Sequence, residues 1–322
     1  LKNIVVTYFV AILVIKGEMT LGTLLGISYI IGEMNGPVAQ LVTFIKKLQE
    51  AKLSYIRLAE IATQEHEEND SNINLDTKKN SGIKVKNLSF SYGDIKSSLV
   101  LDNITITIPS SKITAIVGHS GSGKTTLIKM LLRFYEPTAG TIHLNGDNIL
   151  KISPKNLREN IGTVLQDGFL FSETIERNVI TNEEEADIDK LNNALKVACI
   201  YDYVDSLPQK HKTIIGSLGN NISTGQKQRI LIARAIYKNP KYLFLDEATS
   251  ALDSKTEKKI HHNLIEFYKD RTVVIIAHRL STVKNADNII VLDSGKVVEE
   301  GNHGELLLKK GVYYDLINNQ LS

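Results

Sequence analysis

The sequence predicts an α/β protein with a parallel-sheet core, preceded by an α-helix long and apolar enough to cross a membrane. Three observations carry that expectation. Short apolar runs alternate with helical segments through the larger, C-terminal part of the chain. A glycine-rich loop lies between one such run and a helix. Near the N-terminus, Leu21 to Ile45 holds 25 residues with a single charge, Glu33, more than the roughly 20 that a span requires.

Composition narrows the classes of function. Across 322 residues, 38 Lys and Arg oppose 36 Asp and Glu, a formal net charge of +2. That balance argues against a nucleic-acid partner. A lone cysteine, Cys199, excludes an intrachain disulfide and suits a reducing compartment. The mean hydropathy of −0.08 averages two unlike parts. Because the chain opens at Leu1 inside an apolar run, it reads as the C-terminal piece of a longer protein.

Taken in order, Ile4 to Ile15 is apolar apart from Thr7 and Tyr8, and reads as a membrane helix cut by the start of the sequence. Leu21 to Ile45 follows, with glycines that suit close helix packing in lipid. Lys46, Lys47, Lys52 and Arg57 then form a positive flank that places the downstream chain in the cytoplasm. Helical spacing of Leu48, Ala51, Ile56, Leu58 and Ile61 extends the helix as an amphipathic stem. Gln64 to Ser81 has almost no apolar residue and reads as a linker. The expected domains are therefore residues 1–63, a linker over 64–81, and a soluble domain over 82–322. In that last domain, period-two patterns around Ile83–Phe90 and Leu101–Ile108 predict an added antiparallel piece. Runs at Ile113–Val117, Ile161–Leu165, Tyr242–Leu245, Val273–Ile276 and Ile289–Leu292 predict the buried parallel strands.

The chemistry begins at Gly118-His119-Ser120-Gly121-Ser122-Gly123-Lys124-Thr125, which fits G-x-x-x-x-G-K-[ST] between a strand and a helix starting near Thr126. Such a loop wraps backbone N–H groups around phosphate oxygens at a helix N-terminus. Lys124 can reach the β- and γ-phosphates, and the Thr125 hydroxyl can ligate Mg2+. His119 occupies a variable position of the motif. Tyr242 to Glu247 reads as a buried strand ending in two acids, at the edge where an open α/β sheet binds ligands. Asp246 can hold the Mg2+ shell, and Glu247 can orient and deprotonate an attacking water. Ser223 stands at a helix N-cap position, which offers a second anion site.

From Ile83 to about Leu321 these features resemble the nucleotide-binding domain of ABC transporters. Asp246 to Asp253 resembles that family's Walker B motif and D-loop, and Ile222 to Arg229 its signature motif, usually LSGGQ. The resemblance implies a P-loop NTPase fold with a parallel core, an antiparallel β subdomain and a helical subdomain, using ATP and Mg2+. It implies that Gln166 is the Q-loop glutamine, reaching Mg2+ and the attacking water, and that His278 is the switch histidine. Tyr92 matches the aromatic that stacks on adenine. Gly118 to Thr126 would cradle the phosphates. Ser223, Gly225 and Gln226 would face the ATP of a second subunit, in a head-to-tail dimer with two sandwiched nucleotides. Two residues depart from the pattern. Thr224 replaces a signature glycine, and a β-branched residue there dislikes positive φ. Ser217 stands where many exporters carry a glutamate.

A membrane helix fused ahead of the ATPase resembles exporters, and Ile30–Val38 with Lys52–Leu58 resembles the last membrane helix of bacterial peptide and bacteriocin exporters. That resemblance implies a multi-pass half-transporter of the bacterial inner membrane, contacting lipid, paired with an identical or a different partner, and moving a peptide or small protein. A lipid or drug exporter, and a soluble non-transport ABC ATPase, stay open as alternatives. Glu33, an acid inside the apolar run, is expected to line the transport path.

Overall fold

In the computed structural model the described residues are 2–63, 67–68, 72–76, 79–93, 98–180, 185–216, 219, 222–246, 248, 252–277 and 283–321. The chain divides into two compact units, Leu1–Glu67 and Glu68–Ser322.

The first unit is helical: α1 (Lys2–Ile15), α2 (Leu21–Glu33) and α3 (Asn35–Ala62). Thr20 caps α2 by accepting from the Thr23 amide at 3.3 Å. The continuous helix expected across Leu21–Ile45 is interrupted after Glu33, and the cause lies in the sequence. Pro37 has no N–H to return to the Glu33 carbonyl, four residues back, and its ring crowds that carbonyl. The chain still turns in helical register through the break: Met34 is αR, and the Val38 amide reaches the Met34 carbonyl at 3.2 Å. Among the described residues, no helix is long and apolar enough to cross a membrane. At 13 residues, α2 is about 20 Å long, against a hydrocarbon core of about 30 Å. Among the described side chains of this unit only Val10 is buried, while Leu21, Phe44, Tyr55 and Leu58 stay more than half exposed.

Among the described residues of the second unit, ten strands form two sheets. They are β1 (Ile83–Phe90), β2 (Leu101–Ile108), β3 (Ile113–Val117), β4 (Ala139–Leu144), β5 (Asp147–Asn148), β6 (Ile161–Val164), β7 (Tyr242–Asp246), β8 (Thr272–Ile276), β9 (Asn288–Asp293) and β10 (Lys296–Gly301). Nine helices punctuate them among the described residues: α4 (Lys124–Leu131), α5 (Pro154–Asn160), α6 (Ile175–Val179), α7 (Ile188–Val197), α8 (Tyr201–Ser206), α9 (Thr224–Tyr237), α10 (Ser254–Tyr268), α11 (His303–Lys309) and α12 (Val312–Leu321).

The larger sheet has the order β10-β9-β3-β8-β7-β6, parallel except for the edge strand β10. Its central strands are buried on both faces, which is why they read as unbroken apolar runs. Alternate residues feed two separate cores. Ala115, Val117, Leu243, Leu245, Val273 and Ile289 pack toward α7, α9 and α10. Ile116, Tyr242, Phe244, Val274 and Ile290 pack toward α4 and the second sheet. That second sheet, β2-β1-β4-β5, is antiparallel, as the alternating pattern predicts. The period slips by one residue between Val85 and Leu88 because Asn87 takes a positive φ of 48° in a bulge; its Nδ2 donates to Oδ1 of Asn103, itself at φ 53°, at 2.8 Å. Asparagine tolerates that backbone better than most side chains.

The expected linker over 64–81 differs most from the structure. Its described part from Glu68 onward belongs to the second unit. Leu75 is buried in the core shared with β1 and α4, and its amide donates to Oδ1 of Asn156 at 2.8 Å. Ile73 bridges Ile152 in parallel, and the Glu68 carboxylate accepts from Ser153 Oγ at 2.7 Å and the Lys155 amide at 3.0 Å. Those bonds hold the Glu68 carboxyl below the usual range. A polar composition concealed one anchoring leucine and several backbone pairings. A piece of the chain starting at Glu68 should therefore melt several degrees above one starting at Gly82. Leu75→Ala in the longer piece should cost about 2 kcal/mol, the lower end for a buried leucine. Urea unfolding of the three proteins checks this, and equal midpoints would return the segment to a free linker.

Candidate functional site

Sheet register brings the sequence-predicted residues to one edge. Ile116 of β3 pairs with Ile276 of β8, and Ile276 pairs with Asp246 of β7, so these three lie in one row. The chain leaves β3 for the phosphate loop two residues beyond that row. Ala277, directly after β8, donates its amide to the Ile116 carbonyl at 3.3 Å. Asp246 is 1% exposed at the C-terminal end of β7. Glu247 and His278, the expected base and switch histidine, lie outside the described residues, as does Ser217.

The loop itself needs glycine for two separate reasons. A Cβ on Gly118 would collide with the Leu292 carbonyl oxygen of β9. Gly123 sits at φ 100° as the N-cap of α4, and a Cβ there would lie 2.9 Å from the Leu101 side chain. Lys124 is buried, and its Nζ donates to the carbonyls of Gly118 at 2.9 Å and His119 at 2.8 Å, closing the loop around a cation. Ser122 Oγ is buried without a hydrogen-bond partner among the described residues. His119 is exposed and contributes its backbone to this ring. A backbone concavity with a lysine ammonium at its centre and the first turn of α4 beneath it fits polyphosphate oxygens.

Ser120, Gly121, Gly123, Lys124, Thr125, Thr126 and Gln166 line one cavity of about 290 Å³, together with Val100. Gln166 reaches it from the turn that follows β6. Tyr92 stands just past β1, half exposed, with its hydroxyl 3.1 Å from Thr126 Oγ1. Its ring meets Phe90 and Tyr135 edge-on, at centroid distances of 5.0 and 5.3 Å. It is not a core aromatic: it overhangs the start of α4. Sequence reasoning missed Val100 and Gly295. The Gly295 amide donates to the Ser122 carbonyl at 3.2 Å, so the turn between β9 and β10 buttresses the loop. The dipeptide Ser294-Gly295 signals a turn but says nothing of what the turn leans on.

The signature segment forms a second anion-type terminus. Ser223 caps α9: its Oγ accepts from the Gln226 amide at 3.2 Å, and Gln226 Oε1 accepts from the Ser223 amide at 2.8 Å. Thr224 is the first residue of α9 and is absent from the positive-φ residues, so the backbone strain expected of it does not arise. Gly225 occupies the second helical position, and its carbonyl accepts from Arg229 Nε at 3.3 Å.

A glycine-lined phosphate loop, a buried aspartate at the end of the next strand but one and a glutamine in the loop's cavity define a nucleotide-binding domain of the phosphate-loop class. Residues 101–250 match the family model "ABC transporter". The chain is 39% identical over 302 residues to the leukotoxin export ATP-binding protein LtxB of Aggregatibacter actinomycetemcomitans, covering 94% of this chain and 42% of LtxB. Over 305 residues it is 39% identical to the alpha-hemolysin translocation ATP-binding protein HlyB of Escherichia coli, covering 95% and 43% respectively. Among solved structures, a bacterial Atm1-family ABC exporter with ATP bound superposes with a TM-score of 0.78 at 32% identity, over 95% of this chain and 53% of the other. Residues 101–250 thus form an ABC transporter domain, and the relatives that match nearly the whole chain are of the ABC exporter kind. The chain spans less than half the length of the curated relatives it matches.

Tyr92 offers the cleanest dissection of the site. Tyr92→Ala should weaken ATP binding by about 1–3 kcal/mol through the loss of a stacking face. Tyr92→Phe deletes only the hydroxyl that meets Thr126 and should cost under about 1 kcal/mol. Calorimetric titration of both variants with a non-hydrolysable ATP analogue measures the difference; equal losses would assign the role to the hydroxyl.

Proposed function

We propose that this chain is part of an ABC exporter half-transporter whose ATPase unit works as a head-to-tail dimer. The observation that carries the reading is the cavity lined by Ser120, Gly121, Gly123 to Thr126 and Gln166, at the sheet edge where Asp246 ends its strand. In this reading Gly118 to Thr126 hold the triphosphate through backbone amides and Lys124, and Tyr92 stacks on the adenine. Thr125, Gln166 and Asp246 would hold Mg2+, which when bound neutralises charge developing on the phosphate oxygens. Glu247 accepts the proton of the attacking water, and His278 orients the γ-phosphate. Ser223, Gly225 and Gln226 close over the nucleotide of the partner subunit, with the amides and dipole of the α9 N-terminus facing its γ-phosphate.

Such a partner is a second copy of the half-transporter or a related one. The full protein would cross the bacterial inner membrane several times, with the ATPase unit in the cytoplasm. Exposed apolar side chains along α2 and α3 support a lipid or helix-bundle surrounding for the first unit. The cargo would be a peptide or small protein; relatives named for leukotoxin export and alpha-hemolysin translocation support that class. Glu33, beside the Pro37 interruption, would line its path.

Glu247→Gln should leave ATP binding intact and slow hydrolysis by about 10²–10⁴-fold, the usual contribution of a general base. Single-turnover phosphate release checks it, and near-normal turnover would move the base elsewhere, with His278 the first candidate. For cargo, the full protein in vesicles should show ATPase activity stimulated by peptide and unaffected by lipid or drug; stimulation by lipid alone would reverse the assignment.

A further inference from the structure

Between Gln166 and the signature motif the structure contains a buried polar clamp. Asn178, in α6, is 0% exposed. Its Oδ1 accepts from the Phe171 amide at 2.8 Å, and its Nδ2 donates to the carbonyls of Phe171 and Thr174 at 3.0 Å and of Glu173 at 3.4 Å. One side chain thus fixes the loop that runs from Gln166 into α6. Arg234, on α9, closes over the same loop. Its Nε donates to the Asn178 carbonyl at 2.6 Å, Nη1 to the Phe169 carbonyl at 3.0 Å and Nη2 to Asn178 Oδ1 at 3.2 Å.

A second tie runs from the other side. The Ile175 amide donates to the Thr213 carbonyl, and the Ile215 amide to the Glu173 carbonyl, both at 3.0 Å. Thr213–Ile215 precedes the signature segment in the sequence by six residues. The loop after Gln166 is therefore held between Thr213–Ile215 on one side and α9, the helix that the signature opens, on the other.

Arg234 makes its bonds to neutral oxygens and, among the described residues, has no ion-pair partner. Partial burial lowers its pKa by desolvation. Partly buried and without an ion-pair partner among the described residues, its charge alone is a poor stabilising device. The planar fork instead bonds α6 and the loop at three oxygens at once, which neither lysine nor an apolar chain can do.

We infer that Arg234 and Asn178 are positioning residues that lock the Gln166 loop to the signature helix, so that nucleotide contact at one site of the dimer sets the clamp presented to the other. This rests on the reading above, in which Gln166 meets the chain's own ATP and Ser223 the partner's. The coupling follows from that division: one rigid body carries a contact for each of the two nucleotides.

The test uses the full-length transporter in detergent or vesicles, with ATP as the probe. Arg234→Met removes the fork at similar length; Arg234→Lys keeps the charge. Both should bind ATP within about twofold of wild type. Arg234→Met should lower kcat at least tenfold with KM little changed and bring the Hill coefficient for ATP down to one, and Arg234→Lys should fall between it and wild type. Wild-type kcat and cooperativity in Arg234→Met would overturn the inference. So would a parallel fall of affinity, kcat and melting temperature, which marks a merely structural role. If Arg234→Met does not fold, Arg234→Lys decides: wild-type kcat and Hill coefficient there would overturn it equally. A wild-type protein that fails to hydrolyse ATP would contradict the ATPase reading instead.

Discussion

A loop that wraps phosphate oxygens with its own amides can carry no side chain on its inner wall, and most of the second unit follows from meeting that demand. Gly118 lies so close to the Leu292 carbonyl that no other residue fits, and Gly123 is hemmed in by Leu101. The loop is therefore shaped from outside, by β9 on one side and β2 on the other. Those two strands belong to different sheets, and the core containing Ile116, Leu127, Leu101 and Leu292 joins them. Lys124 completes the ring by bonding two of the loop's own carbonyls. The antiparallel sheet thus serves as one wall of the phosphate site, as well as carrying Tyr92 at the end of β1.

The opposite core has a different task. It joins the sheet to α7, α9 and α10, and so fixes where the N-terminus of α9 points. Ser223 and Gln226 satisfy each other's amides at that terminus, leaving a preformed capping box. In the proposed reading, the elements assigned to a chain's own nucleotide cluster around β3, β7 and the turn after β6; the element assigned to the partner's nucleotide stands at the start of α9. The clamp around Asn178 spans the interval between them.

Much of this was legible in the residues, and for identifiable reasons. Gly118 to Thr125 is readable because glycine, lysine and threonine at fixed spacing have few other uses between a strand and a helix. Asp246 is readable because a strand buried on both faces has no ordinary place for a carboxylate except its end. The departures come from effects that composition averages away. Leu75 is one leucine in a polar segment, yet together with Ile73 and Glu68 it ties that segment to the ATPase unit. Pro37 sits within an apolar run, although its missing N–H interrupts the helix. Thr224 stands in place of a conformationally free glycine, whereas its helical position asks for no such freedom. Asn178 and Arg234 carried no signal at all, since an Asn in a short helix and an Arg in a basic helix are ordinary until their partners are known.

The central claim is that each catalytic site is built from the phosphate loop of one chain and the signature of another. Mixing two inactive transporters tests it most directly: Lys124→Ala, which damages the phosphate loop, and Ser223→Arg, which damages the signature. If the sites are shared between chains, mixed dimers restore one intact site of two, and ATPase activity rises well above the sum of the separate variants. If the mixture stays at that sum after the subunits have been shown to exchange, each chain hydrolyses ATP within its own boundaries and the dimeric account is contradicted.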